Sequence, residues 1–146
     1  MNAERILIAA ECVGGGRYFT DKALAYASQR QVSNRPIGAN QGVHFPIARA
    51  YTRVEAAALM VEKAANLFDG GLRCGAEANI AKMLASEASG QAGDVCTQTH
   101  GGFAFAKEYH IERNCRETKL YQIAPISTNF ILSFVAEHVL DMPRSY

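Results

Sequence analysis

No apolar run in this sequence approaches the ~20 residues that a membrane-spanning helix needs, and the N-terminus lacks the basic-then-apolar layout of a signal peptide. Nor is there a cluster of lysines and arginines. The formal net charge is +1, so nothing in the charge pattern points to a nucleic acid partner. Cysteine is sparse and scattered: Cys12, Cys74, Cys96 and Cys115 form no C-x-x-C pair. That argues against a zinc site and suits structural thiols in a reducing compartment, the cytosol. His44, His100, His110 and His138 lack metal-binding partners at helical spacing, so no metal centre is expected. Internal repeats and low-complexity segments are absent, and strand-like alternation nearly so.

What is present is an alanine-rich chain with 49% hydrophobic and 20% charged residues, the balance of an ordinary globule. Its 146 residues fit one domain, 1–146, with a real core. Apolar spacing predicts helices over 2–32, 41–69, 74–99, 110–121 and 127–140. In the first, Ile6, Ala9, Ala10, Val13 and Leu24 are expected to face the core. Gly14-Gly15-Gly16 interrupts it, at about 1 kcal/mol per interior glycine relative to alanine. Close approach of a helix or ligand would explain the run, as would a kink; no Gly-Lys-Ser/Thr follows, so it is not a phosphate loop. Pro36 and Gly38 punctuate a loop, Asn40 is placed to cap the second helix, and Asp69-Gly70-Gly71 ends it. Phe45, Ala48, Tyr51, Thr52, Ala56, Leu59 and Lys63 mark the turns of that helix, and Ile80, Met83, Leu84 and Val95 those of the third. The closing Pro143–Tyr146 is expected to fray or to dock on a neighbour. The fold class is all-α: an antiparallel four-helix-type bundle with an additional short helix.

The most informative stretch is Gln98-Thr99-His100-Gly101-Gly102-Phe103, where the third helix stops. A glycine pair ends helices as a C-cap; it also brings bare backbone N–H groups against an anion, with Gln98 offering side-chain hydrogen bonds beside it. His100 between them reads as a buried, hydrogen-bonded histidine. This segment resembles the Gln-x-His-Gly-Gly-aromatic-Gly-aromatic signature of acyl-CoA dehydrogenases. The resemblance runs almost end to end. Glu4–Glu11 is similar to the opening helix of that family's C-terminal domain, and Arg30–Ile37 to its Arg-x-x-Phe-Gly-Lys-Pro-Ile loop. Gln41–Phe45 and Ala81–Ser86 match its second and third helices, and Glu112–Ile123 the segment leading to its active site. Family members carry a helical and a β domain in front of this one. The chain is therefore expected to be one domain of the enzyme, incomplete as a catalyst by itself.

The resemblance implies FAD as cofactor, held in a site shared between subunits of a homodimer or homotetramer. In that setting Arg30 contacts the FAD pyrophosphate, for which a guanidinium is suited by paired hydrogen bonds; as a bare residue it is equally a cation at a helix C-terminus. Ser33 and Asn34 replace the family's aromatic and glycine, which removes the basis for adenine or ribose packing there. Gln41 corresponds to a glutamine near the flavin, Gln98, Gly101 and Gly102 to the adenosine-diphosphate contact, and Ser127 and Asn129 to residues that touch the flavin. Small-residue faces such as Gly14–Gly16 and Ala56–Ala58 are expected between subunits. The substrate implied is an acyl-CoA, and the reoxidant an electron-transferring flavoprotein. The reaction takes a proton from the thioester α-carbon while a hydride leaves the β-carbon, which requires a carboxylate base. The usual glutamate position is Pro125, in Ala124-Pro125-Ile126-Ser127, and proline accepts no proton. A minority of the family carries the base in a Glu-Arg step of the opening helix, so Glu4 is the candidate base and Arg5 its neighbour near the substrate. Glu4 is also what the macrodipole favours in any first helical turn. The alternative is a non-catalytic helical subunit serving oligomerisation or FAD binding.

Overall fold

The structure is a computed structural model and describes residues 1–144. Three long helices dominate: α1 (Asn2–Gln29), α2 (Gln41–Asp69) and α3 (Gly75–His100). Two short ones follow, α4 (Ile111–Leu120) and α5 (Thr128–His138). The all-α bundle is therefore as expected, but as three long helices and two short ones rather than four and one. A two-residue hairpin pairs β1 (Gln31–Val32) with β2 (Arg35–Pro36), and short 3-10 turns cover Ile37–Ala39, Gly101–Phe105 and Lys107–Tyr109. That hairpin cuts α1 three residues short of the predicted end. Its turn is Ser33-Asn34, both at positive φ (52° and 60°), the geometry a two-residue hairpin demands and one that asparagine tolerates. The expectation for the closing segment falls partly outside the described residues, at Ser145 and Tyr146.

α2 runs antiparallel to both α1 and α3. Arg17 pairs with Glu55 at 2.7 Å, Lys63 with Glu77 at 3.6 Å, and Arg53 hydrogen-bonds Gln91. The helices meet through small side chains: Ala9, Cys12, Ala23 and Ala27 of α1, Ala50, Val54, Ala57 and Ala64 of α2, Ala78, Ala81, Ala85, Ala92 and Cys96 of α3. Among the described residues Phe19 is the one large aromatic buried completely. Two of the expected core positions of α1 are wrong, since Ala10 and Leu24 are exposed. In α2 the residues that mark its turns, Phe45, Ala48, Tyr51, Thr52, Ala56, Leu59 and Lys63, all lie on the solvent side, while the buried face is Ile47, Ala50, Val54, Ala57, Val61 and Ala64. The same holds more mildly in α3, where Leu84 is exposed and Ile80, Met83 and Val95 are half-buried. The reason is distance: helices this close are filled mostly by Ala, Gly, Cys and Val, with few larger residues such as Phe19 and Ile47, so most of the bulk faces outward.

The glycine run shows how tight the approach is. A Cβ on Gly16 would stand 2.6 Å from Val54 Cγ2, so α2 crosses α1 on bare backbone there. Gly14 meets nothing within 4 Å and, with Gly15, floors a cleft of about 520 Å³ between α1 and α4. The helix continues unbroken through all three. Gly16 and Ala57 are thus consumed inside this chain, and of the two small-residue faces only Gly14 and Ala56 remain fully exposed.

Candidate functional site

At one end of the bundle α1 finishes, α2 begins and α3 finishes. α3 stops because Gly101 takes φ +59°, ψ −134°, a conformation open to glycine, and donates its N–H to the Thr97 carbonyl. One of the two backbone donors expected to face an anion is therefore already engaged. The backbone surface is nonetheless clear, because a Cβ on either Gly101 or Gly102 would meet nothing within 4 Å. Gln98 is exposed one turn earlier. His100 is buried, as its pattern suggested. Its Nδ1 donates to the Cys96 carbonyl at 2.9 Å, and its ring stacks on Tyr26 at 4.2 Å and meets Tyr109 edge-on at 5.7 Å. Burial pushes its pKa below the ordinary histidine value, so it stays neutral.

Arg30 caps α1 at this same end, its N–H donating to Tyr26 O at 2.8 Å and its carbonyl accepting from Ile37 at 2.9 Å. Its guanidinium is exposed and has no hydrogen-bond partner among the described residues. Gln41, the first residue of α2, lines a cleft of about 420 Å³ with Arg49, Arg53 and Gln91. Asn40 occupies the N-cap position as expected but does not cap: its Oδ1 accepts from Arg35 at 2.7 Å and its Nδ2 donates to Ile37 O. Arg35, unnoticed in the sequence, thus fixes the hairpin beside Arg30.

The second set of candidates lies toward the opposite end. Glu4 is exposed in the first turn of α1, and Arg5, half-buried, donates to Asn2 Oδ1 at 3.3 Å. Asn2 reaches Cys74 Sγ at 3.6 Å, so the start of α3 lies alongside. Ser127 is the N-cap of α5, its Oγ accepting from the Phe130 N–H at 3.4 Å, and Asn129 is exposed in the first turn. α5 descends along α3 from Lys82, whose Nζ donates to Ile126 O at 2.7 Å, toward Gly75, where a Cβ would face Phe134 at 3.8 Å. Pro125 is exposed between these elements.

From Glu4 to Arg30 the axis of α1 extends over 26 residues, ~39 Å at ~1.5 Å per residue. One chain therefore gathers Arg30, Gln41, Gln98, Gly101 and Gly102 at one end and keeps Glu4, Arg5, Ser127 and Asn129 away from them. Sequence reasoning also passed over Lys82 as a buried group. Burial pushes the Cys12 and Cys96 thiols up to about 12, which disfavours their thiolates, and all four thiols are free. Among the described residues no group of three or more His, Cys, Asp and Glu is placed to hold a metal ion, and no helix is long and apolar enough to cross a membrane.

The family model for the acyl-CoA dehydrogenase C-terminal domain matches residues 1–140. Over 148 aligned residues the chain is 45% identical to acyl-CoA dehydrogenase FadE12 of Mycobacterium tuberculosis (strain ATCC 25618 / H37Rv), covering 100% of this chain and 38% of that protein. Its fold superimposes on butyryl-CoA dehydrogenase from Megasphaera elsdenii with a TM-score of 0.92 at 28% identity, over 95% of this chain and 36% of the other. It superimposes equally on PigA with FAD and proline, with a TM-score of 0.91 at 27% identity, again over 95% and 36%. The chain thus spans well under half the length of the proteins it matches.

Proposed function

Because this chain belongs to the acyl-CoA dehydrogenase family, as its C-terminal domain, we propose that it serves FAD-dependent α,β-dehydrogenation of an acyl-CoA thioester. The observation that carries this reading is the partition of the candidate residues between two ends of the bundle. FAD has two unlike halves, and the chain offers a surface suited to each. Arg30 supplies a free guanidinium, and the cleared backbone at Gly101-Gly102 lets a diphosphate approach closely, with Gln98 and Gln41 adding amide hydrogen bonds. Ser127 and Asn129 supply a hydroxyl and an amide on the other half. With ~27 Å along α3 between the two sets, eighteen residues from Lys82 beside Ser127 to His100, one chain does not close round one cofactor, so a second copy completes each site in a homodimer or homotetramer.

When bound, FAD supplies the hydride acceptor. The proton falls to this chain, and Pro125 cannot take it. Glu4 accepts it from the α-carbon, with Arg5 alongside to hold the anionic substrate. Glu4 is exposed here, so the dry surroundings that would match its basicity to the task must come from what closes over it. An electron-transferring flavoprotein is the reoxidant, and free thiols fit a cytosolic location. A second reading, a non-catalytic FAD-binding or assembly subunit, is favoured by one observation: Pro125 and an uncovered Glu4 leave no desolvated carboxylate among the candidates.

Titration of the chain with FAD, following flavin absorbance and native mass together, tests the shared site. Saturable binding by a dimer or tetramer, lost in Arg30→Ala, is expected; a stable oligomer that binds no flavin would favour the assembly reading. In a full-length dehydrogenase carrying this domain, Glu4→Gln should abolish turnover with flavin still bound. Retained turnover would remove Glu4 from the mechanism.

A further inference from the structure

α3 carries a row of polar side chains where a bundle of this kind is otherwise apolar: Asn79, Lys82, Ser86 and Ser89, each no more than 2% exposed. Their spacing puts them on one face. Lys82 is the outlier, a cation at 0% exposure with no carboxylate within ion-pair distance among the described residues. Burial lowers its pKa, as expected for an ammonium removed from water. A methionine would fill the same space without that penalty, so packing does not explain a lysine here. What the ammonium gains is one charge-assisted hydrogen bond, to Ile126 O at 2.7 Å across 44 residues of sequence.

The partner is informative. Ile126 lies between Pro125, at the family's usual base position, and Ser127, the cap of α5. The other end of the same loop is also seated on α3. Gln122 Nε2 donates to Ser86 O at 3.5 Å and lies where a Cβ on Gly90 would come within 2.5 Å of it. Thr128 N–H closes the loop on Gln122 O at 3.3 Å. Asn79 Oδ1 and Ser89 Oγ, above and below Lys82, are buried without a protein hydrogen-bond partner, so the row as a whole is polar beyond what packing needs.

We propose that Lys82 is a positioning residue: through the Ile126 carbonyl it sets the height of the 122–127 loop on α3, and so the placement of Ser127 and Asn129. The functional consequence rests on the reading above, in which those two residues serve the flavin half of the cofactor. Arg30, Gln98 and the Gly101-Gly102 turn lie ~27 Å further along α3, eighteen residues at ~1.5 Å. The far end of the molecule is therefore an internal control.

Hydrogen exchange of the chain, wild type against Lys82→Met, reads the tether directly. Protection of amides 122–131 should fall by at least about tenfold, the scale of one lost hydrogen bond to a charged group, with α1 and α2 unchanged. Unchanged exchange at 122–131, or a uniform loss across the bundle, overturns the proposal. Titrations with FAD and with ADP read the consequence. Lys82→Met should weaken FAD by about tenfold and leave ADP within about twofold, because general damage moves both and displacement of the loop moves one. Parallel weakening overturns the positioning role. If the wild-type chain binds neither ligand, the cofactor reading fails, and exchange alone decides on Lys82. If Lys82→Met does not fold, NMR of the wild type decides instead. Slowly exchanging Lys82 ammonium protons with a scalar coupling across to the Ile126 carbonyl support the tether, and fast exchange without coupling overturns it.

Discussion

The three long helices and the α4–α5 arm are built on opposite terms. Between α1, α2 and α3 most buried residues are small, and side chains seat directly on bare backbone, as Val54 does on Gly16. The arm buries little: Ile111, Thr118 and Ile131 are its only fully buried side chains in α4 and α5, while Leu120, Ile123, Phe130, Leu132, Val139, Leu140 and Met142 stay exposed. The first region holds its geometry by close contact. The second is attached by Ile111, buried in the same core with Cys115 and Tyr121 packed against it, and by a few polar links, Lys82 to Ile126, Gln122 to Ser86 and Tyr121 to Glu11 at 2.7 Å. Ser127 and Asn129 thus sit on the sparsely buried region, and Arg30, Gln98 and Gly101-Gly102 at the end of the tightly packed one.

Truncation of one buried side chain in each region is the strongest way to break this contrast. Phe19→Ala should destabilise the whole bundle by about 3–5 kcal/mol in urea unfolding, because no neighbour can collapse into the gap. Ile131→Ala should mainly open α5, visible as local hydrogen exchange with a smaller shift of the global midpoint. Equal global costs would show that arm and core unfold as one. The glycine run sharpens the comparison within a single helix. Gly16→Val should cost up to about 3 kcal/mol by driving α1 off α2. Gly14→Ala, over open space, should stabilise by about 0.5–1 kcal/mol on the same assay. Matching signs at the two positions would contradict the close approach at Gly16.

The smallest effect is expected at His100. Its native pKa lies below the value of 6.5 it would have unfolded, because burial opposes the charged ring. The unfolded chain then binds the extra proton, so stability is full above pH 6.5 and declines as pH falls below it toward the native pKa. His100→Asn should flatten that part of the stability–pH curve relative to wild type; an unchanged slope would mean the ring is not the titrating group.

How much of this was legible beforehand differs by level. α2 was bounded correctly at both ends: Asp69-Gly70-Gly71 stops it through local bonds, and Asn40 holds the N-cap place by its backbone carbonyl, which accepts from Val43 and His44, and not by its side chain. His100 and the Gly101-Gly102 stop were readable for the same reason. The core face of α2 was not: Phe45, Tyr51 and Leu59 are the hydrophobic choice by transfer energy, yet Ala50, Ala57 and Ala64 are buried. The burial of Lys82 was equally hidden, since its acceptor lies 44 residues away in a loop with no periodic signal.

By itself, then, the sequence determined the helices, their stops and the residues that resemble a flavin site, because capping, turn geometry and helical spacing are local. Only the tertiary structure decided which face of each helix turned inward, which glycine was needed, and that the loop before α5 is seated on α3 at Lys82. Those outcomes depend on how closely two helices can approach, a property of the pair that neither helix carries alone.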